Sequence, residues 1–340
     1  MASSAITQSL LTGVLSMKGP QSSSGFHWEE LYTESLKSKT ETPACDILHL
    51  ENESGTGQTT LYHVFPGIHM AYNDVHMGYC GSGCCNAEHV IEINHCRQGR
   101  FECDFGGQTC CYMTPGHLAV CTPKHKKTSA CFPLCHYCGI SVFLDLQAIT
   151  PDLNSVFRLL SIDLEPISDL VFRQRQIIVV RAEQSIEQIF SELYSVRDSG
   201  KPGYLKVKVL ELLLLLSDLN AWEPLNSRVY LNRGHVQAVK AVHAYMMEHM
   251  EAHVTISELA LQFKLSPTAL KSGFKAVYGS SVYAWLRAYR LQTAMQMLND
   301  TTLSIAEIGA KIGYENPNKF SSAFKKKYQL SPSKYRKTHT

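Results

Sequence analysis

Thr255-Ile-Ser-Glu258-Leu259-Ala260, Ser266-Pro267, Leu270 and Phe274-Lys275 make up one pattern near the end of the chain. It returns as Ser304-Ile-Ala-Glu307-Ile308-Gly309, Asn316-Pro317, Phe320 and Phe324-Lys325. The offset is 49 residues in the first part and 50 in the second, so the second copy has one more residue in its turn. Each copy opens with a capping box, Thr255 with Glu258 and Ser304 with Glu307, a spacing that satisfies free N–H groups at a helix start. Apolar stripes follow at helical spacing: Ile256, Leu259, Ala260 and Phe263, then Ile305, Ile308, Gly309 and Ile312. Ser266-Pro267 and Asn316-Pro317 each supply an N-cap residue and a proline for the first helical position. Each copy therefore predicts two helices joined by a short turn.

The second helix of each copy turns one face inward, because Leu270 and Phe274, like Phe320 and Phe324, are four residues apart. The opposite face of the first carries Thr268, Lys271, Ser272 and Lys275; that of the second carries Asn318, Lys319, Ser321, Ser322 and Lys325. None of these is a carboxylate. Lysine can donate to guanine, asparagine can pair with adenine, and hydroxyls serve bases or phosphates. A solvated face is the plain alternative for either helix alone; matching register in two copies argues for a shared role. Charge agrees. Residues 235–340 hold fourteen Lys/Arg against six Asp/Glu, a net of +8, whereas the whole chain is +2 and residues 1–234 carry −6. Such asymmetry points to a nucleic-acid module joined to something else. Lys325-Lys326-Lys327, Lys334, Arg336 and Lys337 are candidate phosphate clamps. Between the copies, Val282, Trp285, Leu286, Tyr289, Ala294, Met297 and Leu298 predict one linking helix from Ser281 to Leu298. A rigid spacer would select which two major-groove segments, about 34 Å apart, are read together.

These residues carry a resemblance. Ile256 with Leu259-Ala260, Leu270-Lys-Ser-Gly-Phe-Lys275, Tyr278-Gly279, Arg290-Leu291 with Ala294 and Leu298, Ile308-Gly309 through Gly313-Tyr314, Phe320 with Phe324-Lys325, and Leu330-Ser-Pro332-Ser-Lys-Tyr335-Arg336 resemble the DNA-binding domain of the AraC/XylS family of bacterial transcription regulators. The resemblance spans about a hundred residues. A weaker similarity links the Leu270–Lys275 run and Ser281-Val282 to the siderophore-responsive subgroup. Family resemblance implies two helix-turn-helix units on a long helix, and places base-facing residues at Thr268, Lys271 and Ser272, and at Pro317, Asn318, Lys319 and Ser322. It also implies double-stranded DNA and RNA polymerase as partners, a small-molecule effector, a homodimer, and activation as the commoner behaviour. The chain departs from the family at Gln329, where glycine is frequent, at Gly309, where alanine is commoner, and at Ser272 and Ser322, places that are often arginine.

The rest of the chain suggests an α+β protein with an N-terminal β part. Residues 58–148 read as short strands with glycine and proline turns: Tyr62 to Met77, His89 to Asn94, Arg100 to Cys103 after the Gln98-Gly99 turn, His117 to Cys121 and Gly139 to Leu146. This suggests a barrel or sandwich, and the resemblance implies a cupin-like barrel that senses a small molecule. Tyr62, Phe65, His69, Tyr72 and His95 are candidate lining residues, with plain core or surface roles as the alternative for each. Residues 150–220 read as helical. The stripe Leu205, Val209, Leu212, Leu213 and Leu216 is either core or, as the resemblance implies, a subunit contact. The expected divisions are a partly flexible N-terminal segment at 1–57, a β-barrel sensor with a helical dimerisation part at 58–220, a linker at 221–234, and the DNA-binding domain at 235–340. Met1 to Leu15 lacks the basic start and cleavage site of a signal peptide. The longest apolar run, Val209 to Leu216, contains Glu211 and is too short to span a bilayer. A cytoplasmic protein that does not enter membranes is expected.

All twelve cysteines lie between Cys45 and Cys138. A reducing compartment would keep them as thiols. Cys135-His-Tyr-Cys138 is a single C-x-x-C with no second copy at zinc-finger spacing. Two readings stay open: cysteine as a small apolar strand residue, or a metal or redox site drawn from Cys80, Cys84, Cys85, Cys131, Cys135 and Cys138 that controls DNA binding. A zinc-thiolate DNA-repair enzyme fused to the same DNA-binding domain is a further alternative. Its Cys-Arg-Pro-x-Cys pattern is missing, as are nucleophile elbows, phosphate loops and paired-histidine metal helices, so no enzyme is expected.

Overall fold

The computed structural model describes residues 31–81, 89–104, 109–123, 130–173, 177–196, 202–217 and 231–339. The strands are β1 (Leu36–Glu41), β2 (Asp46–Asn52), β3 (Gly55–Phe65), β4 (Ile68–His76), β5 (Tyr79–Cys80), β6 (Val90–Gly99), β7 (Phe101–Asp104), β8 (Thr109–Met113), β9 (His117–Cys121), β10 (Ala130–Cys131), β11 (Tyr137–Asp145), β12 (Ile178–Arg181) and β13 (Leu231–Asn232). The helices are α1 (Pro151–Leu159), α2 (Glu165–Ser168), α3 (Gln184–Ser195), α4 (Pro202–Leu216), α5 (Arg233–Glu248), α6 (Ile256–Gln262), α7 (Pro267–Tyr278), α8 (Val282–Asp300), α9 (Ile305–Lys311), α10 (Pro317–Tyr328) and α11 (Pro332–His339). The chain divides into two compact units: residues 1–99 with 113–224, and residues 100–112 with 225–340.

In the first unit eight strands pair antiparallel in the order β1-β2-β3-β4-β11-β6-β9-β12. Among the described residues no pairing joins β12 to β1, so the expected closed cupin-like barrel is not confirmed. Strand alternation sends Met70, Tyr72, Ile91, Ile93, Ile140, Val142 and Leu144 to one face, where helices cover them. The stripe Leu205, Val209, Leu212, Leu213 and Leu216 of α4 is buried in this same core. Of the two readings left open for this stripe, the core one describes it: the stripe packs within its own unit, and the large apolar residues that α4 leaves exposed are Val207 and Leu214.

Two further differences have simple causes. Residues 36–52, assigned to a partly flexible segment, form β1 and β2, whose Leu48 and Leu50 alternate into the interior. Ile178–Arg181, inside a region read as helical, is a strand instead. Its β-branched Ile-Val-Val run pairs with β9, which gives that strand a second neighbour.

The second unit is helical apart from β7, β8 and β13. Both capping boxes form: the Thr255 and Ser304 side chains accept from the Glu258 and Glu307 backbones, and each glutamate reaches back. Ser266 and Asn316 cap α7 and α10, with proline in the first turn. Two separate cores result. One joins α5, α6 and α7 through Val239, Val242, Leu259, Leu270 and Phe274. The other joins α9 and α10 through Ile308, Ile312, Phe320 and Phe324. Helix α8 serves both, giving Val282 to the first and Leu291, Ala294 and Leu298 to the second.

Arg290 lies on α8 between these two sets. Its guanidinium donates to the carbonyls of Met250 (2.8 Å) and Ala252 (3.1 Å), after α5, and of Gly313 (3.4 Å), in the turn before α10. Gly313 has φ +79, and a Cβ there would lie 2.6 Å from the guanidinium. Glycine is needed for both reasons. Charged hydrogen bonds of this kind contribute roughly 1.5–3 kcal/mol each when their loss strands a partner. Arg290→Ala should destabilise the second unit by about 2 kcal/mol, measured by urea denaturation; a change within a few tenths of the wild type would show that the clasp carries no energy.

Candidate nucleic-acid interface

The exposed face of α7 presents Thr268, Lys271, Ser272 and Lys275, while Leu270, Phe274 and Val277 are buried beneath it. On α10, Pro317, Asn318, Lys319, Ser322 and Lys325 are exposed, and Ser321 is half-buried. The structure thus presents nine of the ten expected residues openly. Ser272 Oγ turns back to the carbonyls of Thr268 (2.9 Å) and Ala269 (3.3 Å), so its hydroxyl must rotate to meet an outside partner. At both helix starts the cap side chain takes up backbone N–H groups, Ser266 that of Ala269 and Asn316 those of Asn318 and Lys319, and α10 also ends in Lys325, Lys326 and Lys327. Lys327 departs from the expected clamp. It donates to Ala288 O at 2.9 Å, and burial lowers its pKa. Arg336 bonds to Leu298 O at 3.3 Å, which leaves Lys325, Lys326, Lys334 and Lys337 as the open cations of that end.

A groove runs between α8 and the start of α10, lined by His253, Tyr283, Arg287, Asn316 and Lys319 among others. Tyr283 is 53% exposed although aromatic. Neither Tyr283 nor Arg287 was expected from the sequence. The signal was available, because both stand on the polar side of the linking helix beside the second copy's turn. One carboxylate also borders the groove: Glu315, paired with His253 at 3.5 Å.

The first helix-turn-helix is braced from two sides. His243 of α5 is stacked on Tyr278 (ring centroids 4.2 Å, 7°) and lies 4.3 Å from Trp285, so α5, α7 and α8 meet at one aromatic stack. Elsewhere β8 pairs with β13, Glu102 accepts from Lys240 and from Tyr112 at 2.5 Å each, and Arg100 donates to Ala276 O at the end of α7. Residues 100–104 and 109–112 are thus part of the scaffold under α7, a role that their strand-like sequence does not announce.

The expected lining residues of the first unit separate. Tyr62 and Tyr72 meet edge to face at 5.7 Å. His95 stacks on Phe190 at 4.1 Å and lies 3.3 Å from Glu187, while Tyr72 donates to Leu193 O at 2.7 Å. Residues of α3 thus cover Tyr72 and His95. Burial lowers the His95 pKa and Glu187 partly offsets it. Phe65 packs at the edge of the same core, beneath Lys206. His69 projects from the opposite face, its ring 2.9 Å from His63, and burial with that neighbour lowers its pKa to about 3.

Of the cysteine candidates, Cys84 and Cys85 lie outside the described residues. Cys80 is buried, Cys131 and Cys138 are half-buried, and Cys135 is exposed. Among the described residues the side chains that converge as a three-ligand group are Asp74, His76 and His136, with no cysteine among them.

Residues 259–338 match the family model described as a helix-turn-helix domain. The MmsAB operon regulatory protein of Pseudomonas aeruginosa is 31% identical over 148 residues, 43% of this chain and 46% of that protein. The arabinose operon regulatory protein of Salmonella typhimurium is 29% identical over 167 residues, 46% of this chain and 56% of that protein. Among solved structures, the C-terminal domain of AraT, a response regulator from Geobacillus stearothermophilus, is 32% identical, with 30% of this chain and 84% of that chain covered and a TM-score of 0.29. The C-terminal part of this chain is a helix-turn-helix domain of the AraC/XylS type. The chain spans about half the length of these two curated relatives.

Burial lowers the His243 pKa to about 4, from an ordinary 6.5. The unfolded chain therefore binds the proton first as pH falls, so stability should drop between pH 6.5 and 4 and level off below. His243→Phe should remove that part of the slope. Urea midpoints of both proteins across this window check it; parallel slopes would show that His243 is not held neutral.

Proposed function

We propose that the chain is a transcription regulator whose helical unit grips double-stranded DNA with α7 and α10, while the N-terminal unit receives a small-molecule signal. The observation that carries the first part is the repeated pair of capped helices whose exposed faces hold amides, hydroxyls and amines but no carboxylate. Lys271 suits guanine and Asn318 suits adenine; Thr268, Ser272, Lys319 and Ser322 serve neighbouring bases or phosphates. Lys275, Lys325 and Arg287 are placed for phosphates, and Tyr283 for a sugar edge. The excess of +8 in residues 235–340 supplies attraction without sequence preference.

The second part rests on the aromatic set Tyr62, Tyr72 and His95. In this reading the large sheet with its helical cover plays the sensing part, and an effector enters by displacing Phe190 and Tyr194 of α3. Activation through RNA polymerase and a dimeric state belong to the same reading, by family resemblance. The relatives named above are operon regulators, and that supports regulation over catalysis here. The thiol-based alternative has less support, because no described cysteine joins the one converging ligand group.

Lys271→Ala or Asn318→Ala should weaken binding to the cognate site by about 1–3 kcal/mol and relax base preference there. Equal losses on random DNA would reduce both to phosphate contacts. Affinity on any duplex should fall steeply with added salt; titrations at several salt concentrations that give one affinity would refute the charge argument.

A further inference from the structure

We propose that Asp74, His76 and His136 bind a divalent metal ion of the zinc class at one end of the large sheet. The inference does not depend on the DNA-binding reading, since every residue it uses lies in the first unit.

Strands β4 and β11 pair so that Cys138 faces Asp74 and Tyr137 faces Val75. Strand alternation places Asp74 and His76 on one face. Continuing the register by one residue sets His136 beside His76. The candidate ligand atoms of Asp74, His76 and His136 all lie within 4.8 Å of one another. His76 Nε2 is 3.3 Å from an Asp74 carboxylate oxygen, and the two imidazoles face each other at 4.8 Å and 30°.

The tautomer of His136 points the same way. Its Nε2 is 3.3 Å from the Gln98 amide oxygen, which can only accept, so Nε2 carries the hydrogen and Nδ1 carries the lone pair. Nδ1 is buried and makes no hydrogen bond with the described residues. A histidine that donates from one nitrogen to an amide or carboxyl oxygen while offering the other is the usual posture of a metal ligand. An ion pair between His76 and Asp74 would account for those two residues and leave the His136 nitrogen without a reason.

The backbone around the group is closely held. Cys135, just before His136, has φ 50. Gly99 (φ +84) and Gly55 (φ +145) pass so near the His136 and His76 carbonyls that a Cβ at either would lie 2.0 Å from the oxygen. A side chain at either glycine would push the His136 or His76 backbone out of place. Two imidazoles and one carboxylate suit zinc and its neighbours better than calcium or magnesium, which prefer all-oxygen sets. Three protein ligands leave a position for water or an anion, and exposed His76 gives the ion its path from solvent. Cys138, which pairs with Asp74 in the register, lies outside the set, as does Cys135 beside His136.

The test uses the full chain and zinc alone. Because twelve thiols can also take zinc, the titration is run on protein whose cysteines have been alkylated, and crystals grown with zinc are measured at the zinc absorption edge. One equivalent should remain after alkylation, with an anomalous peak among Asp74, His76 and His136. Asp74→Asn, His76→Ala and His136→Ala should each weaken it at least about tenfold, and Gln98→Ala by about tenfold, as outer-shell partners do. Thermal midpoints of the zinc-free variants should match the wild type, which separates lost ligands from lost folding. Should one ligand variant fail to fold, the Gln98 variant and the anomalous map still decide. Zinc held only by unmodified thiols, equal affinity in the histidine variants, or a water alone at His136 Nδ1 would overturn the proposal.

Discussion

One guanidinium joins the two helix-turn-helix units. Arg290 leaves α8 where that helix changes core, from Val282 on one side to Leu291 on the other. From there it reaches carbonyls that belong to both neighbours, Met250 and Ala252 before the first unit and Gly313 within the second. Two cores that share only a helix could twist about it. A planar fork with fixed donor directions opposes that twist in a way that a flexible lysine amine would not. Whatever α7 and α10 address, their separation is set by the length of α8 and this clasp.

The helical unit was legible because its information is local. Caps, proline starts and apolar spacing each concern residues within four positions of one another, and Thr255, Ser266, Ser304 and Asn316 all cap as the pattern requires. The linking helix predicted from Ser281 to Leu298 runs from Val282 to Asp300. The exposure of Lys271, Asn318 and their neighbours followed directly from burying Leu270, Phe274, Phe320 and Phe324.

The N-terminal unit was less legible because its arrangement is nonlocal. Alternation located β6, β9 and β11, yet it could not show that β11 would lie between β4 and β6. Nor could it show that α3 would cover Tyr72 and His95 or that His69 would face the other way, since one residue of register decides each side chain's face. The same limit hid the Asp74, His76 and His136 group. His136 is remote in sequence from the other two, and the neighbouring Cys135 and Cys138 drew attention to thiols instead. For α4, heptad-like spacing could not distinguish an internal core from a partner's surface, because both bury the same stripe.

The excursion of residues 100–112 into the helical unit has a consequence for biosynthesis. Glu102 meets Lys240 across 138 residues of chain. When a ribosome has just made β7 and β8, none of their helical partners exists. The native cover of Tyr112 and Cys110 is complete only once α5 has emerged. A fragment that begins after residue 224 would never receive these strands, and its helices would keep a permanent gap where those two side chains belong. The second unit thus finishes folding only with a piece of chain made long before the rest of it.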